Sequence, residues 1–326
     1  MRILWITHPE SDYLASTLYR GMCQVLGVDN VIDYPWKDSY HGQTSYYEQP
    51  YGRGPGCTSP CAWQKPSESV RRTEVEIKND NFDCVILEST RPYAIHALDA
   101  VIASGWTPLP PVFVCCGEDY SETNILLDVG NKFGAKALFK RELLKGVNIQ
   151  HVYPCPFASV IPEDWPLYVS LSKHHDAFCV VGNTDPTRQA YIDALQRISG
   201  YNIYSGSDKQ GVRLDQFQYW EKLSRSRIGV NLKGFGWDTL RFLEIPAVMT
   251  MLLTQRIDIQ YPHEFTDGVN CAIFNDANEM DWKLRHYLDH PDECQRIARA
   301  GYDHVLAHHT SRRRAEYVLD IVGRYI

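Results

Sequence analysis

Short apolar runs alternate with amphipathic segments along most of the chain. The first run, residues 2–7, ends at a histidine–proline pair, and residues 12–26 follow with apolar side chains at helical spacing and a glycine directly after them. Apolar runs of this length, bounded by turns, are typical of parallel strands buried on both faces. The runs recur at residues 31–34, 83–88, 111–116 and 135–139. This order predicts a parallel sheet covered by helices on both faces.

A second alternating series begins at Ala177. It predicts strands at residues 178–181, 203–204, 227–232, 250–253 and 271–274, and three final helices at residues 277–288, 291–307 and 311–325. Residues 152–166 lie between the two series, contain four prolines and are predicted to form a linker. The order of elements therefore predicts two doubly wound α/β domains, residues 1–165 and 172–310, that meet at a cleft, with residues 311–326 as a terminal helix.

The alternation breaks in a long loop, residues 35–66. This loop holds five prolines and six aromatic side chains. Long loops in compact domains are often functional, and aromatic faces stack on sugars or bases. The loop is predicted to form the acceptor side of the cleft; the alternative is a surface excursion without a binding role.

Composition and charge narrow the function classes. The 326 residues are 44% hydrophobic and 22% charged, with a net charge of −7, which disfavours broad coating of nucleic acid. No apolar run reaches the length of a membrane span, and the first run is too short for an export signal, so a cytoplasmic protein is expected. Several of the ten cysteines lie in apolar runs and are predicted to be reduced core residues; only Cys57 and Cys61 have a spacing that could suit a metal or a disulfide.

The segment richest in chemical signals is residues 231–248. A predicted strand leads into Gly234-Phe-Gly236, and a helix follows that carries Arg241 and Glu244 three residues apart, hence on one face. Backbone amides at a helix N-terminus attract phosphate, an arginine can grip a phosphate, and a carboxylate can accept from ribose hydroxyls. The spacing fits a nucleoside diphosphate site, and it fits equally well a plain turn followed by a surface ion pair.

From residue 177 to about residue 314 the chain resembles the CgeB-type (spore maturation protein B-like) family of group-1-like glycosyltransferases. The resemblance rests on Val181-Gly182 with Arg188, and on the segments 226–231, 239–247, 265–274, 287–292, 297–301 and 309–313, in the family's order. Segments 139–144 and 154–157 of the first half are similar more weakly. The resemblance implies a GT-B fold of two Rossmann-like domains that face a central cleft, with a nucleotide-sugar, expected to be a UDP-sugar, on the second. It also implies that the terminal helix packs back on the first domain.

The resemblance also implies a set of donor-binding residues. Glu244 takes the place of the glutamate that binds the donor ribose, and Arg241, Arg188 and Lys233 would contact the diphosphate. The family carries a second glutamate where this chain has Lys233, which leaves Asp238 as a substitute sugar contact. The full predicted donor set is Gly182, Arg188, Lys233, Gly234, Gly236, Thr239, Arg241 and Glu244.

Three residues of the first half are candidates for catalysis. An inverting transfer needs a base, and His8, directly after the first strand, is placed for this role with Asp12 nearby. Glu118 follows another strand and is predicted to face the cleft. The alternatives are a loop histidine for His8 and helix capping for Glu118. No metal is expected, because GT-B enzymes generally work without one and the chain has no Asp-x-Asp motif, and the nucleotide-sugar is a substrate rather than a cofactor.

The leading hypothesis is a hexosyltransferase-type glycosyltransferase that uses a nucleotide-sugar and an acceptor of unknown class: a small molecule, a glycan, a protein or a nucleic acid. Local basic clusters at residues 71–72, 140–141 and 312–314 keep a DNA base (a hydroxymethyl-pyrimidine) open as an acceptor. A GT-B epimerase would use the same cleft. A non-catalytic nucleotide-sugar-binding subunit is the other alternative, which the lysine at position 233 favours.

Overall fold

The computed structural model describes residues 1–10, 12–41, 71–116, 123–159, 169, 172–182, 187–207, 210–212, 214 and 216–326. The fold is α/β with two separate parallel sheets. Most of the predicted acceptor loop, residues 42–66 with Cys57 and Cys61, lies outside the described residues, as does Glu118.

The first sheet has six strands in the order β2-β1-β3-β4-β5-β6, all parallel. The strands are β1 (Ile3–Ile6), β2 (Val31–Tyr34), β3 (Cys84–Leu87), β4 (Val112–Cys116), β5 (Ala137–Lys140) and β6 (Val152–Pro154). The helices of this half are α1 (Tyr13–Leu26), α2 (Glu74–Lys78), α3 (Pro92–Ala103) and α4 (Asn124–Phe133).

The second sheet has five parallel strands in the order β11-β10-β9-β7-β8. The strands are β7 (His175–Val181), β8 (Ile203–Ser207), β9 (Ser226–Asn231), β10 (Met251–Gln255) and β11 (Ala272–Phe274). The helices are α5 (Arg188–Arg197), α6 (Gln216–Ser224), α7 (Leu240–Ala247), α8 (Ala277–Asp289), α9 (Pro291–His308) and α10 (Ser311–Val322).

Both sheets reverse their strand order beside their first strand. The reversal lies between β1 and β3 in the first sheet and between β7 and β9 in the second. At such a switch point the connections leave toward opposite faces of the sheet, so a crevice opens beyond the carboxyl ends of the strands, where ligands bind in open α/β folds. Functional side chains are therefore expected at these two crevices.

Helix α1 shows how the local sequence sets this framework. The Asp12 side chain accepts a hydrogen bond from the Ala15 amide and caps the helix. Leu14, Leu18 and Met22 are fully buried on one face, against the first sheet. The cap fixes where α1 starts, and so fixes the loop after β1 that carries His8.

Helix α10 packs on α1, so the end of the described chain completes the core of the first half. Ala315, Val318 and Val322 are fully buried in the same cluster as Ile3 and Trp5. The two helices approach so closely that a Cβ at Gly21 would stand 2.0 Å from the Ser311 carbonyl oxygen.

The structure corrects two details of the predicted elements. Residues 152–154 are not linker but strand β6, which pairs with β5 from Val152 opposite Leu138 to Pro154 opposite Lys140. Helix α2 was not predicted; Thr73 and Glu76 form its capping box.

Loops at the carboxyl edge of each sheet join the two halves. Leu144, beyond β5, forms an antiparallel bridge with Ile259, beyond β10, and the Lys145 amide donates to the Asp258 carbonyl at 2.9 Å. Ser159 forms a second bridge with Thr310. The carboxyl edges of the two sheets thus face each other across this junction.

Candidate functional site

Arg188 spans the switch point of the second sheet. Its guanidinium donates to the carbonyls of Gly182 and Lys233 at 2.6 Å each, and to that of Leu232 at 3.1 Å. Gly182 follows β7 and Lys233 follows β9, so the buried Arg188 ties together the ends of the two strands and places a positive charge in the crevice between them.

The loop after β9 is held in a tight turn. The Gly234 amide donates to the Gly236 carbonyl at 2.9 Å, and the Thr239 hydroxyl donates to the Asn231 side-chain oxygen at 2.6 Å. Lys233 places its ammonium 4.3 Å above the Trp237 ring, a cation–π contact. The turn lies a few residues before the start of α7, near the positive end of the helix dipole.

A buried cluster forms where α7 faces α6. The Tyr219 hydroxyl donates to Glu244 Oε2 at 2.6 Å, and Arg241 is electrostatically coupled to both groups. Burial raises the pKa of the Glu244 carboxyl, while the Tyr219 hydrogen bond and Arg241 oppose that rise. Within the part of the chain that the structure describes, the buried Nε and one terminal nitrogen of Arg241 have no hydrogen-bond partner. A buried guanidinium with spare donors is suited to an anionic ligand.

Two buried carboxylates, Asp238 and Glu142, meet at this loop. Asp238 is buried and accepts from the Phe157 amide at 2.7 Å and from the Tyr261 hydroxyl, so it joins the halves of the molecule. Glu142, which follows β5 of the first sheet, accepts from the backbone amides of Trp237 and Asp238 at 3.1 Å each.

A second polar cluster lies at the switch point of the first sheet, around Glu88. This fully buried carboxylate follows β3 and accepts four hydrogen bonds: from the Trp5 indole at 2.6 Å, the His8 amide at 2.9 Å, the Lys37 ammonium at 2.9 Å and the Tyr40 hydroxyl at 2.7 Å. Lys37 and Tyr40 belong to the start of the predicted acceptor loop, which folds inward here.

His8 lies inside this cluster. Its Nε2 is 3.6 Å from Glu88 Oε1 and 4.0 Å from Asp12 Oδ2, and neither ring nitrogen is hydrogen-bonded within the described residues. Burial lowers the pKa of His8 to about 4, although Glu88 opposes the shift. The imidazole is therefore neutral at pH 7, which is the protonation state that a general base needs.

The predicted site residues thus fall into groups. Gly182, Arg188, Lys233 and Gly234 meet at the second crevice, and Arg241 and Glu244 meet beside the start of α7. His8 and Asp12 meet at the first crevice.

Three residues with prominent contacts were missed: Glu88, Glu142 and Tyr219. The two glutamates carried a signal, because each comes one or two residues after a buried parallel strand, at the edge where ligands bind. Tyr219 carried none, because it lies within a helix far from residue 244 in sequence and reaches Glu244 only in the fold.

The described residues contain no group of three or more histidine, cysteine or acidic residues placed to hold a metal ion. The eight described cysteines are buried free thiols, and burial raises the pKa of Cys155 to about 12. Among the described helices, none has the length and apolar character needed to cross a bilayer.

Comparison with known proteins gives a family match for the second half of the chain. Residues 171–320, which include both α7 and the second crevice, match the family model described as glycosyl transferase-like. No curated protein matches the chain.

Solved structures share the fold over nearly the whole chain. A glycosyltransferase from Rickettsia africae ESF-5 is 11% identical with a TM-score of 0.63, covering 98% of this chain and 97% of its own. Anabaena Alr3699/HepE, solved in complex with UDP, is 10% identical with a TM-score of 0.60, covering 99% and 100%. An α-glucosyltransferase in complex with UDP-glucose and DNA containing an abasic site is 12% identical with a TM-score of 0.56, covering 98% of each chain. The chain therefore has the GT-B fold of these glycosyltransferases, and its second half matches the glycosyl transferase-like family.

Proposed function

We propose that the protein is a metal-independent glycosyltransferase of the CgeB type that transfers a hexose from a UDP-sugar. The family match over residues 171–320 supports sugar transfer, and the relatives of the same fold that were solved with UDP or UDP-glucose support the donor. Apart from the lysine at position 233, which keeps a non-catalytic subunit open, no observation favours that alternative or an epimerase over sugar transfer.

The observation that carries the proposal is the cluster of Arg241, Glu244 and Tyr219 next to the glycine turn. Glu244 would accept the ribose hydroxyls, with its second oxygen fixed by Tyr219. Arg241 would donate its spare N–H groups to the diphosphate, with Lys233 and the charge of Arg188 nearby. Gly182, Gly234, Gly236 and Thr239 would shape the backbone against which the donor lies.

Positive charge at this site suits the chemistry of transfer. Breaking the bond from the anomeric carbon to the diphosphate leaves oxocarbenium character on the sugar and negative charge on the departing oxygen. Arg241 and Lys233 would stabilise that departing charge, and the preorganised positive end of α7 would add to it. The protein's own cations would thus supply the stabilisation that a metal supplies in other transferases.

For an inverting reaction we assign the base to His8. A neutral imidazole at the first crevice can take the proton of an acceptor hydroxyl, and Glu88 and Asp12 would stabilise the imidazolium that results. The acceptor would lie on this side, against the loop that contributes Lys37 and Tyr40. Glu118 keeps its proposed place on the same side, outside the described residues.

The test is release of nucleoside diphosphate from a panel of nucleotide-sugars, with sugar, glycan, protein and DNA acceptors added in turn. We expect UDP release from a UDP-hexose, stimulated by one acceptor class and unchanged by EDTA. Tight donor binding with neither hydrolysis nor transfer would leave a binding subunit as the answer.

The donor site has a sharper test in Glu244→Ala. We expect this change to weaken UDP binding at least about tenfold, because the ribose hydroxyls lose the buried carboxylate that accepts their hydrogen bonds. Glu221→Ala is the matched control: Glu221 lies on α6 in the same half, and its side chain is 42% exposed in a surface ion pair with Arg225. Equal UDP affinity in both variants would show that the ribose binds elsewhere.

A further inference from the structure

Glu142 reaches from one half of the molecule into the glycine turn of the other. It follows β5 in the first sheet, and its fully buried carboxylate accepts from two successive amides, those of Trp237 and Asp238, in the second half. A Cβ on Gly236 would stand 1.9 Å from Glu142 Oε1, so only glycine admits the carboxylate at this point of the turn.

The two amides that Glu142 occupies belong to the segment between the glycine turn and the start of α7. Adjacent backbone N–H groups near a helix N-terminus form a natural site for phosphate oxygens. A carboxylate bound there presents to these amides the same pair of anionic oxygens that a phosphate would present. Both anions cannot occupy the two N–H groups together, because each amide has one hydrogen and the like charges repel at contact distance.

Opposing effects act on the Glu142 carboxylate where it contacts the two amides. Burial raises the pKa of Glu142, while the two amides and Arg141, 3.2 Å from Oε1, favour the charged form. The halves are also joined without Glu142, by the Leu144–Ile259 bridge and by the contact of Asp238 with the Phe157 amide. These contacts would therefore keep the halves joined if the Glu142 side chain left the two amides.

We propose that Glu142 is an autoinhibitory carboxylate, which competes with the diphosphate of the donor for the amides of Trp237 and Asp238. The proposal rests on the proposed function for the identity of the ligand, and on the geometry alone for the competition between anions. Donor binding would then change the position of a side chain in the first half of the molecule, because Glu142 belongs to the loop that follows β5.

Titration calorimetry with two probes, UDP and inorganic pyrophosphate, tests the proposal on the full chain. Glu142→Gln keeps the shape of the side chain but removes its charge and sets an amide N–H against the loop, so we expect both probes to bind about tenfold more tightly than to the wild type. Glu264→Gln is the matched control, because Glu264 pairs with Lys145 at 3.0 Å across the same junction and its side chain is 50% exposed. We expect this control to bind both probes as the wild type does.

Equal or weaker pyrophosphate binding by folded Glu142→Gln would overturn the proposal, because the carboxylate would then shape the turn for the ligand instead of blocking it. Glu142→Asp keeps the charge but shortens the reach; it should also bind both probes more tightly, and it decides the matter if the glutamine variant does not fold. If UDP binds no variant while pyrophosphate still distinguishes Glu142→Gln from the control, the proposed function fails and the autoinhibitory contact stands.

Discussion

Tyrosine hydroxyls hold three of the buried carboxylates that shape the two crevices and the joint between them. Tyr40 donates to Glu88, Tyr219 to Glu244 and Tyr261 to Asp238. Burial raises the pKa of each of these tyrosines well above its ordinary value, with the neighbouring carboxylate adding to the rise, so the phenols stay protonated and remain donors.

Tyr219→Phe removes the donor that fixes Glu244. We expect UDP affinity to fall about three- to tenfold with the fold intact, because a charge-assisted hydrogen bond that orients the ribose-binding carboxylate is lost. Tyr201→Phe is the control, since Tyr201 donates to Asp289 at 2.7 Å at the exposed surface of the same half. Calorimetric titration of both variants is the measurement, and a wild-type affinity for Tyr219→Phe would contradict the assigned role.

Glu88→Gln tests the buried cluster at the first crevice. The change leaves the Lys37 ammonium, 4% exposed, without a counter-charge, so we expect the free energy of unfolding to fall by about 3–5 kcal/mol. The exposed Lys145–Glu264 pair is the comparison, and Glu264→Gln should cost less than about 1 kcal/mol. Urea unfolding of the two variants measures the difference; similar losses would mean that Glu88 and Lys37 are solvated.

At the scale of elements, hydrophobic periodicity was enough to predict most strands and helices. It located β2 at Val31–Tyr34 with its observed bounds, and it predicted a helix through Arg241 and Glu244, where α7 lies. It missed β6 because the four prolines of the predicted linker masked a strand of only three residues at the sheet edge, where a proline is tolerated. Helix α2 has five residues, too few for a periodic pattern, and its capping box was the only sequence signal for it.

The sites were harder to predict than the elements, for a physical reason. Gly234, Arg241 and Glu244 lie on one short segment, so the sequence alone was enough to name them as candidates for a donor site. Contacts between distant segments cannot be predicted in this way. The Tyr219–Glu244 hydrogen bond and the position of Glu142 at the Trp237 amide depend on how the two sheets and their loops pack together.

The pairing of α1 with α10 gives a prediction about packing. Gly21→Ala sets a methyl group against the Ser311 backbone, so α10 must shift, and we expect a loss of about 1–3 kcal/mol in the free energy of unfolding. Gly323→Ala, at the end of α10, has a φ of −61° and should change stability by less than about 0.5 kcal/mol. Denaturant unfolding distinguishes the two; an unaffected Gly21→Ala would show that the helices tolerate a wider spacing.

At the scale of the whole molecule, buried histidine makes stability depend on pH. The folded-state pKa of His8, about 4, lies below the ordinary histidine value of 6.5, so the unfolded chain binds its proton first and stability falls as the pH drops from 6.5 toward 4. Glu88 favours the protonated ring, while Lys37 and Arg91 oppose it. The loss from His8 should approach about 3 kcal/mol at 1.4 kcal/mol per pKa unit.

His8→Gln isolates this contribution. Urea unfolding at pH 7, 6, 5 and 4 should show a shallower decline for the variant than for the wild type. Parallel declines would place the acid sensitivity elsewhere, first at His309, which is buried and whose pKa burial lowers well below its ordinary value.

The return of α10 to the first half has a consequence for biosynthesis. Ala315, Val318 and Val322 complete the core that begins with Ile3 and Trp5. A ribosome releases the strands of the first sheet early, but that core stays open until residues 311–322 have emerged. Although domains commonly fold in the order of their synthesis, here the first half must wait for the second, and a chain stalled before α10 would expose the apolar face of α1.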